Sequence, residues 1–116
     1  MRTYLRVHFK ERMTNVESMC LHLLWCIVFD PRSEDGVGFN THDNTLTYQG
    51  GADSIGRMHQ MLIDRNWTDA KFDENRNFPE VQAVMEYMVA RNWGTFDERL
   101  NGLLAKIDRI DPPITV

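Results

Sequence analysis

The chain has no apolar stretch long enough to cross a bilayer. Its most apolar segment, residues 19–29, is about eleven residues long and is interrupted by His22, where a transmembrane helix needs about twenty. The first ten residues, MRTYLRVHFK, alternate polar with apolar and lack the continuous apolar core of a signal peptide. A cytoplasmic protein is the resulting expectation. Cysteine is scarce as well: Cys20 and Cys26 are the only two. On one expected helix they stand roughly 9 Å apart along the axis, and a disulfide needs its Cα atoms within about 7 Å. Both are expected to be free, buried thiols, as in a reducing compartment.

The motifs of common chemistries are also missing. There is no G-x-S-x-G, no H-E-x-x-H and no cysteine in an electropositive loop, so no catalytic residue is assigned. Neither G-x-G-x-x-G nor a P-loop occurs. Gly50-Gly51 ahead of an expected helix has the order of an anion-binding turn, but Asp53 would repel the anion there. Asp73-x-Asn75-x-Asn77 has the first three ligand positions of an EF-hand loop, yet Phe78 stands where the turn needs glycine and Val84 where it needs a bidentate glutamate. His22 and Cys26, at i and i+4, face one direction. A zinc site needs about four ligands, with a second compact pair, and His8, His42 and His59 are scattered singly. Neither a metal nor another cofactor is expected. An acid–base pair assembled from His42, Asp43 or His59 stays open, because spatial neighbours do not show in a sequence, but nothing in the sequence favours it.

What is present fits an ordinary folded domain. With 116 residues, 42% hydrophobic and 26% charged, the chain is expected to form one domain over residues 1–116 that buries roughly two-thirds of its unfolded surface. Its net charge of −4 is unevenly spread. Residues 1–12 carry Arg2, Arg6, Lys10 and Arg12 against Glu11, a balance of +3, whereas residues 30–53 carry a balance of −4.

The organising stretch is residues 14–29. Thr14 and Glu17 have capping-box spacing, in which hydroxyl and carboxylate each accept from a free backbone donor. Val16, Cys20, Leu23 and Ile27 form one apolar stripe; Leu21, Leu24, Trp25 and Val28 cover much of the rest. That pattern predicts a helix packed on most sides, stopped by Asp30-Pro31. Before it, residues 3–10 alternate as a strand, with Leu5, Val7 and Phe9 inward and Tyr4, Arg6, His8 and Lys10 outward. Residues 30–36 form a loop. Residues 37–41 and 45–49 read as a hairpin, and a helix follows from Asp53 or Ser54 to about Arg65, weakened by Gly56. Residues 66–77 read as polar and irregular. A helix from Pro79 to about Arg91 and a last one after the Thr95/Glu98 capping box, burying Phe96, Leu100, Leu103, Leu104 and Ile107, complete the helical half. Ile114 and Val116 are candidates for an edge strand. Arg65-Asn66-Trp67 and Arg91-Asn92-Trp93 echo one another, as two helix ends anchored by tryptophan; two copies are too few for a solenoid.

The fold class is therefore α+β, a small antiparallel sheet in β-α-β-β-α order with additional C-terminal helices. That order is ferredoxin-like if one more strand completes it, with residues 67–72 or the C-terminal tail as candidates. Function has less to rest on. Ten of the thirteen basic residues are arginine, and Arg, Trp and Tyr dominate interface hot spots. The leading expectation is a non-enzymatic protein-binding module that occupies a surface on a larger partner, through Tyr4, Arg6, His8 and Lys10, with Trp67 and Trp93 contributing if their rings are exposed. Phage and mobile-element inhibitors of host defence, such as anti-CRISPRs, are compact domains of this general kind. RNA or DNA binding through the same strand face is the alternative, and a small enzyme or nucleotide-binding domain with a dispersed site is the third.

Overall fold

The structure, a computed structural model, describes residues 2–28, 38–42, 44–66 and 70–116. Along the chain run β1 (Thr3–Phe9), α1 (Asn15–Val28), β2 (Gly38–His42), β3 (Thr45–Gly50), α2 (Ala52–Asp64), α3 (Ala70–Arg76), α4 (Pro79–Ala90), α5 (Phe96–Leu104), β4 (Ile107–Ile110) and β5 (Ile114–Thr115). The expected loop 30–36, the Asp30-Pro31 helix stop, Asp43 and Trp67 lie outside the described residues.

Strand β1 lies in the middle of the sheet, and its alternation reflects one buried and one outer face. The strand order is β2-β3-β1-β4, with β5 also on β1. Every pairing is antiparallel, and β1 meets β3 in an unbroken register from Thr3↔Gly50 to His8↔Thr45. The connection from β1 to β2 passes over β3, and that from β3 to β4 passes over β1. These are the two interleaved split β-α-β units of the ferredoxin-like order, with α2–α5 in place of a single second helix.

Leu5, Val7 and Phe9 of β1 join Leu46 and Tyr48 of β3 in one core with α1. In α1, Cys20, Leu21, Leu23, Leu24, Ile27 and Val28 are all buried, and α2, α3, α4 and α5 all touch the helix. Burial of one such aliphatic side chain is worth about 2 kcal/mol, so this packing outweighs the helix's caps, worth about 1 kcal/mol each. The capping box is formed: Thr14 N–H donates to Glu17 Oε1 at 2.9 Å, and Glu17 N–H to Thr14 Oγ1 at 3.2 Å. At the other end Asn75 Nδ2 donates to the Ile27 carbonyl at 2.9 Å, and the Arg57 guanidinium donates to that of Val28, satisfying carbonyls that a helix end leaves open.

Four expectations are corrected. Residues 70–76, expected to be irregular, are helical, and Phe72 and Asn75 bury one face of α3. Phe72 therefore belongs to no strand. The last helix stops at Leu104, and Ile107, expected as its final apolar contact, starts β4 opposite Phe9. The completing strand is thus β4, while the tail supplies the expected edge strand as β5. Helix α2 begins at Ala52, with Gly51 in extended conformation as its N-cap and no side-chain hydrogen bond there, so the cap lies two or three residues before the expected Asp53 or Ser54. Cys20 is buried as expected, but Cys26 is only partly so.

The Arg-Asn-Trp echo does not repeat in backbone conformation. After α2 the left-handed residue is Arg65; after α4 it is Asn92. There Asn92 N–H donates to the Val89 carbonyl and Trp93 N–H to that of Met88, the double closure of a Schellman motif. Trp93 packs partly buried against the core, the anchoring role read from its position.

Candidate functional site

Because β1 alternates, its even positions emerge on the face of the sheet that carries none of the described helices. Tyr4 is half-buried there and Arg6 exposed. Cross-strand neighbours on the same face are Gln49 beside Tyr4, Thr47 beside Arg6 and Thr45 beside His8 on one side, with Ile114 beside Tyr4 and Arg109 beside His8 on the other. Lys10 lies just beyond the strand; its side chain is exposed and its N–H donates to the Lys106 carbonyl at 2.9 Å.

The charges on this face are unequally used. His8 Nε2 lies 2.9 Å from Asp111 Oδ2, and Arg109 Nε is 3.6 Å from Asp111 Oδ1. The hydrogen bond to His8, followed by the attraction of His8, Arg109 and Arg6, holds the Asp111 carboxyl below its ordinary value despite the opposing effect of desolvation. His8 is only 16% exposed and is tied to the C-terminal segment. Arg6 is different. Its Nε makes one long hydrogen bond, 3.5 Å, to Thr47 Oγ1, and among the described residues no carboxylate lies within ion-pairing distance of it. Beside it, a hollow of about 240 Å³ is walled by Tyr4, Pro112, Ile114 and Val116.

The structure therefore brings Tyr4, Arg6 and His8 together, with Lys10 at their edge. It keeps Trp93 apart: that ring sits in the helical layer, edge-on to Tyr87 with centroids 5.5 Å apart. Trp67 lies outside the described residues. Arg109, Asp111 and Pro112 were not singled out from the sequence. A β-bulge between His8 and Phe9 shifts the β4 register, so both Asp108 and Arg109 are exposed and the period-of-two signal is lost.

A second, larger cleft of about 500 Å³ lies between α1 and α4, lined by Met19, His22, Leu23, Cys26, Val84 and Tyr87. Cys26 Sγ is 3.8 Å from His22 Nε2. Burial pushes the Cys26 thiol up and His22 down, which favours the uncharged form of each. Among the described residues no three His, Cys, Asp or Glu side chains gather as metal ligands, so this pair stands with two donors. Asn75 and Asn77, considered above for calcium, instead donate to the backbone carbonyls of Ile27 and Asp73.

No described helix is long and apolar enough to cross a membrane. No family model matches the chain, and no curated protein matches it either.

Proposed function

We propose that the chain is a non-enzymatic protein-binding module that acts by occupying a surface on a larger partner, using the face of its sheet that carries none of the described helices. The observation that carries this reading is Arg6. It is a guanidinium carried on the central strand, exposed, beside a half-buried tyrosine, and among the described residues no carboxylate lies within ion-pairing distance, Asp111 attracting it only from farther away. A cation fixed on a strand is already oriented, so less entropy is lost when a partner's carboxylate meets it. Occupation of a functional surface by such a domain is inhibition, which keeps the host-defence inhibitor within this proposal.

The nucleic-acid alternative has weaker support. Sheets that read single-stranded RNA stack two or three bases on aromatic rings. On this face Tyr4 is the one Phe, Tyr or Trp ring among the described side chains, and the whole chain carries −4. The test is the double substitution Arg6→Glu with Lys10→Glu. Both side chains are exposed, so the thermal midpoint should stay within about 2 °C of wild type. Affinity capture with the wild-type chain should recover one stoichiometric protein that the double variant loses. A retained partner overturns the proposal; capture that is abolished by competing oligonucleotide and falls steeply with salt favours nucleic acid instead.

A further inference from the structure

We infer that the hollow beside Arg6 is the anchor point of this face, and that it takes an apolar side chain of the protein partner carried next to an acidic residue of the same segment. This rests on the protein-binding reading above and adds the chemistry of the partner. Three observations converge on it.

The first is size. About 240 Å³ accommodates one leucine- or phenylalanine-sized side chain but not a helix or a folded surface, and buried anchors of that kind dominate interface energetics. The second is the wall. Tyr4 forms the side toward β1, and Ile114, its partner across β5, is 62% exposed, as is Val116 at 77%. These are the two most exposed large apolar side chains among the described residues, and both lie on this one hollow. An apolar occupant would remove both from water.

The third is charge. Asp111 also lines the hollow, but its two oxygens already face His8 and Arg109. Arg6 is left over. Its guanidinium lines the hollow and is the group that a carboxylate carried beside an apolar anchor would meet, whereas a basic residue there would be repelled by it. An internal acidic residue suits the site better than a chain terminus. Capture of a terminal carboxylate uses a nest of free backbone N–H groups, whereas the N–H groups of β1 lie within a strand paired on both sides.

Blocked peptides are the probes, followed by two-dimensional NMR of the full chain. Acetyl-Gly-Leu-Glu-Gly-amide should shift the resonances of Tyr4, Arg6, Ile114 and Val116 in a saturable way. Replacing Leu by Ala should weaken it about tenfold or more, replacing Glu by Lys should abolish the shifts, and Arg6→Gln protein should not respond. Ile114→Ser, which removes one wall at an exposed position without altering charge, should weaken partner capture about tenfold while the spectrum remains that of the folded chain. The inference is overturned if the Leu-Glu and Leu-Lys peptides bind alike, if the shifts fall elsewhere, or if acetyl-leucine with its free carboxylate binds where the internal Glu does not. It is equally overturned if a short oligonucleotide shifts these resonances and the peptide does not. Its failure is separable from that of the broader proposal. If the Arg6→Glu, Lys10→Glu protein loses the partner but Ile114→Ser keeps it, the face binds and the hollow is not the anchor.

Discussion

At the scale of single residues, the two cysteines separate into different chemical environments although they share a helix. Cys20 is fully buried, and burial pushes its thiol up to about 11. Cys26 is partly exposed on the wall of the α1–α4 cleft, its thiol also raised by burial. Since the thiolate is the reactive form, a native-state titration with an alkylating reagent should modify Cys26 alone. It should do so more slowly than a free cysteine and faster as pH rises, with Cys20 reacting only after denaturation. Two modified thiols in the folded protein would contradict this. Gly56 is a different case. It lies inside α2, and a Cβ built on it meets no atom within 4 Å. Gly56→Ala should therefore stabilise the fold by about 0.5–1 kcal/mol, by removing unfolded-state freedom without a clash. Chemical denaturation would register this as a higher midpoint with an unchanged slope.

At the scale of elements, legibility followed periodicity and capping. Helix α1 was readable because Thr14 and Glu17 mark its start and its apolar residues run around the cylinder; β1 was readable because both of its neighbours leave its alternation intact. Strand β4 was not. It is four residues long, bulged, and begins at Ile107, three residues after Leu104, so its first inward residue continues the helical spacing of α5. Helix α3 was hidden because Phe72 and the buried Asn75 are its inward contacts, and a polar residue does not register in an apolar pattern. Asn75 is there for the open carbonyl of Ile27, a partner 48 positions away that no local window contains. The candidate face was half legible for the same reason: β1 gave Tyr4, Arg6 and His8, whereas Arg109 and Asp111 depend on the bulge. The α1 capping box gives a prediction at this scale. Burial would raise the Glu17 carboxyl, but the Thr14 N–H, the Lys106 ammonium at 3.2 Å and the Thr14 hydroxyl together hold it below its ordinary value near 4.5. Glu17 therefore adds stability that is present above the unfolded-state value and is lost as pH falls through the lower folded-state value. Thr14→Ala should cost about 1 kcal/mol at neutral pH, and Glu17→Gln should flatten the acid limb of the stability curve, both read by denaturant titration across pH 3–7.

At the scale of the whole molecule, the sheet and the helical layer have opposite tolerances. The outer face of the sheet holds Arg6 and, at its edge, Lys10 in water, so sign reversal there should leave folding alone. The inner layer converges on α1, which touches four other helices and closes over β1 and β3 through one continuous core. Tyr48, fully buried, donates its hydroxyl to the Leu21 carbonyl at 3.2 Å and so ties β3 to the middle of that helix. Leu24 lies one turn further along α1 with no exposed surface. A carboxylate there would be stripped of water, and its options are to remain charged at a cost of several kcal/mol or to protonate far from its ordinary range. Either exceeds a meaningful share of the 5–15 kcal/mol that holds a typical domain together. Leu24→Asp should therefore abolish the cooperative thermal transition seen by circular dichroism, where Arg6→Glu with Lys10→Glu leaves it in place. A Leu24→Asp protein that still melts cooperatively near the wild-type temperature would mean that α1 is peripheral, and that the sheet is held by the remaining helices instead.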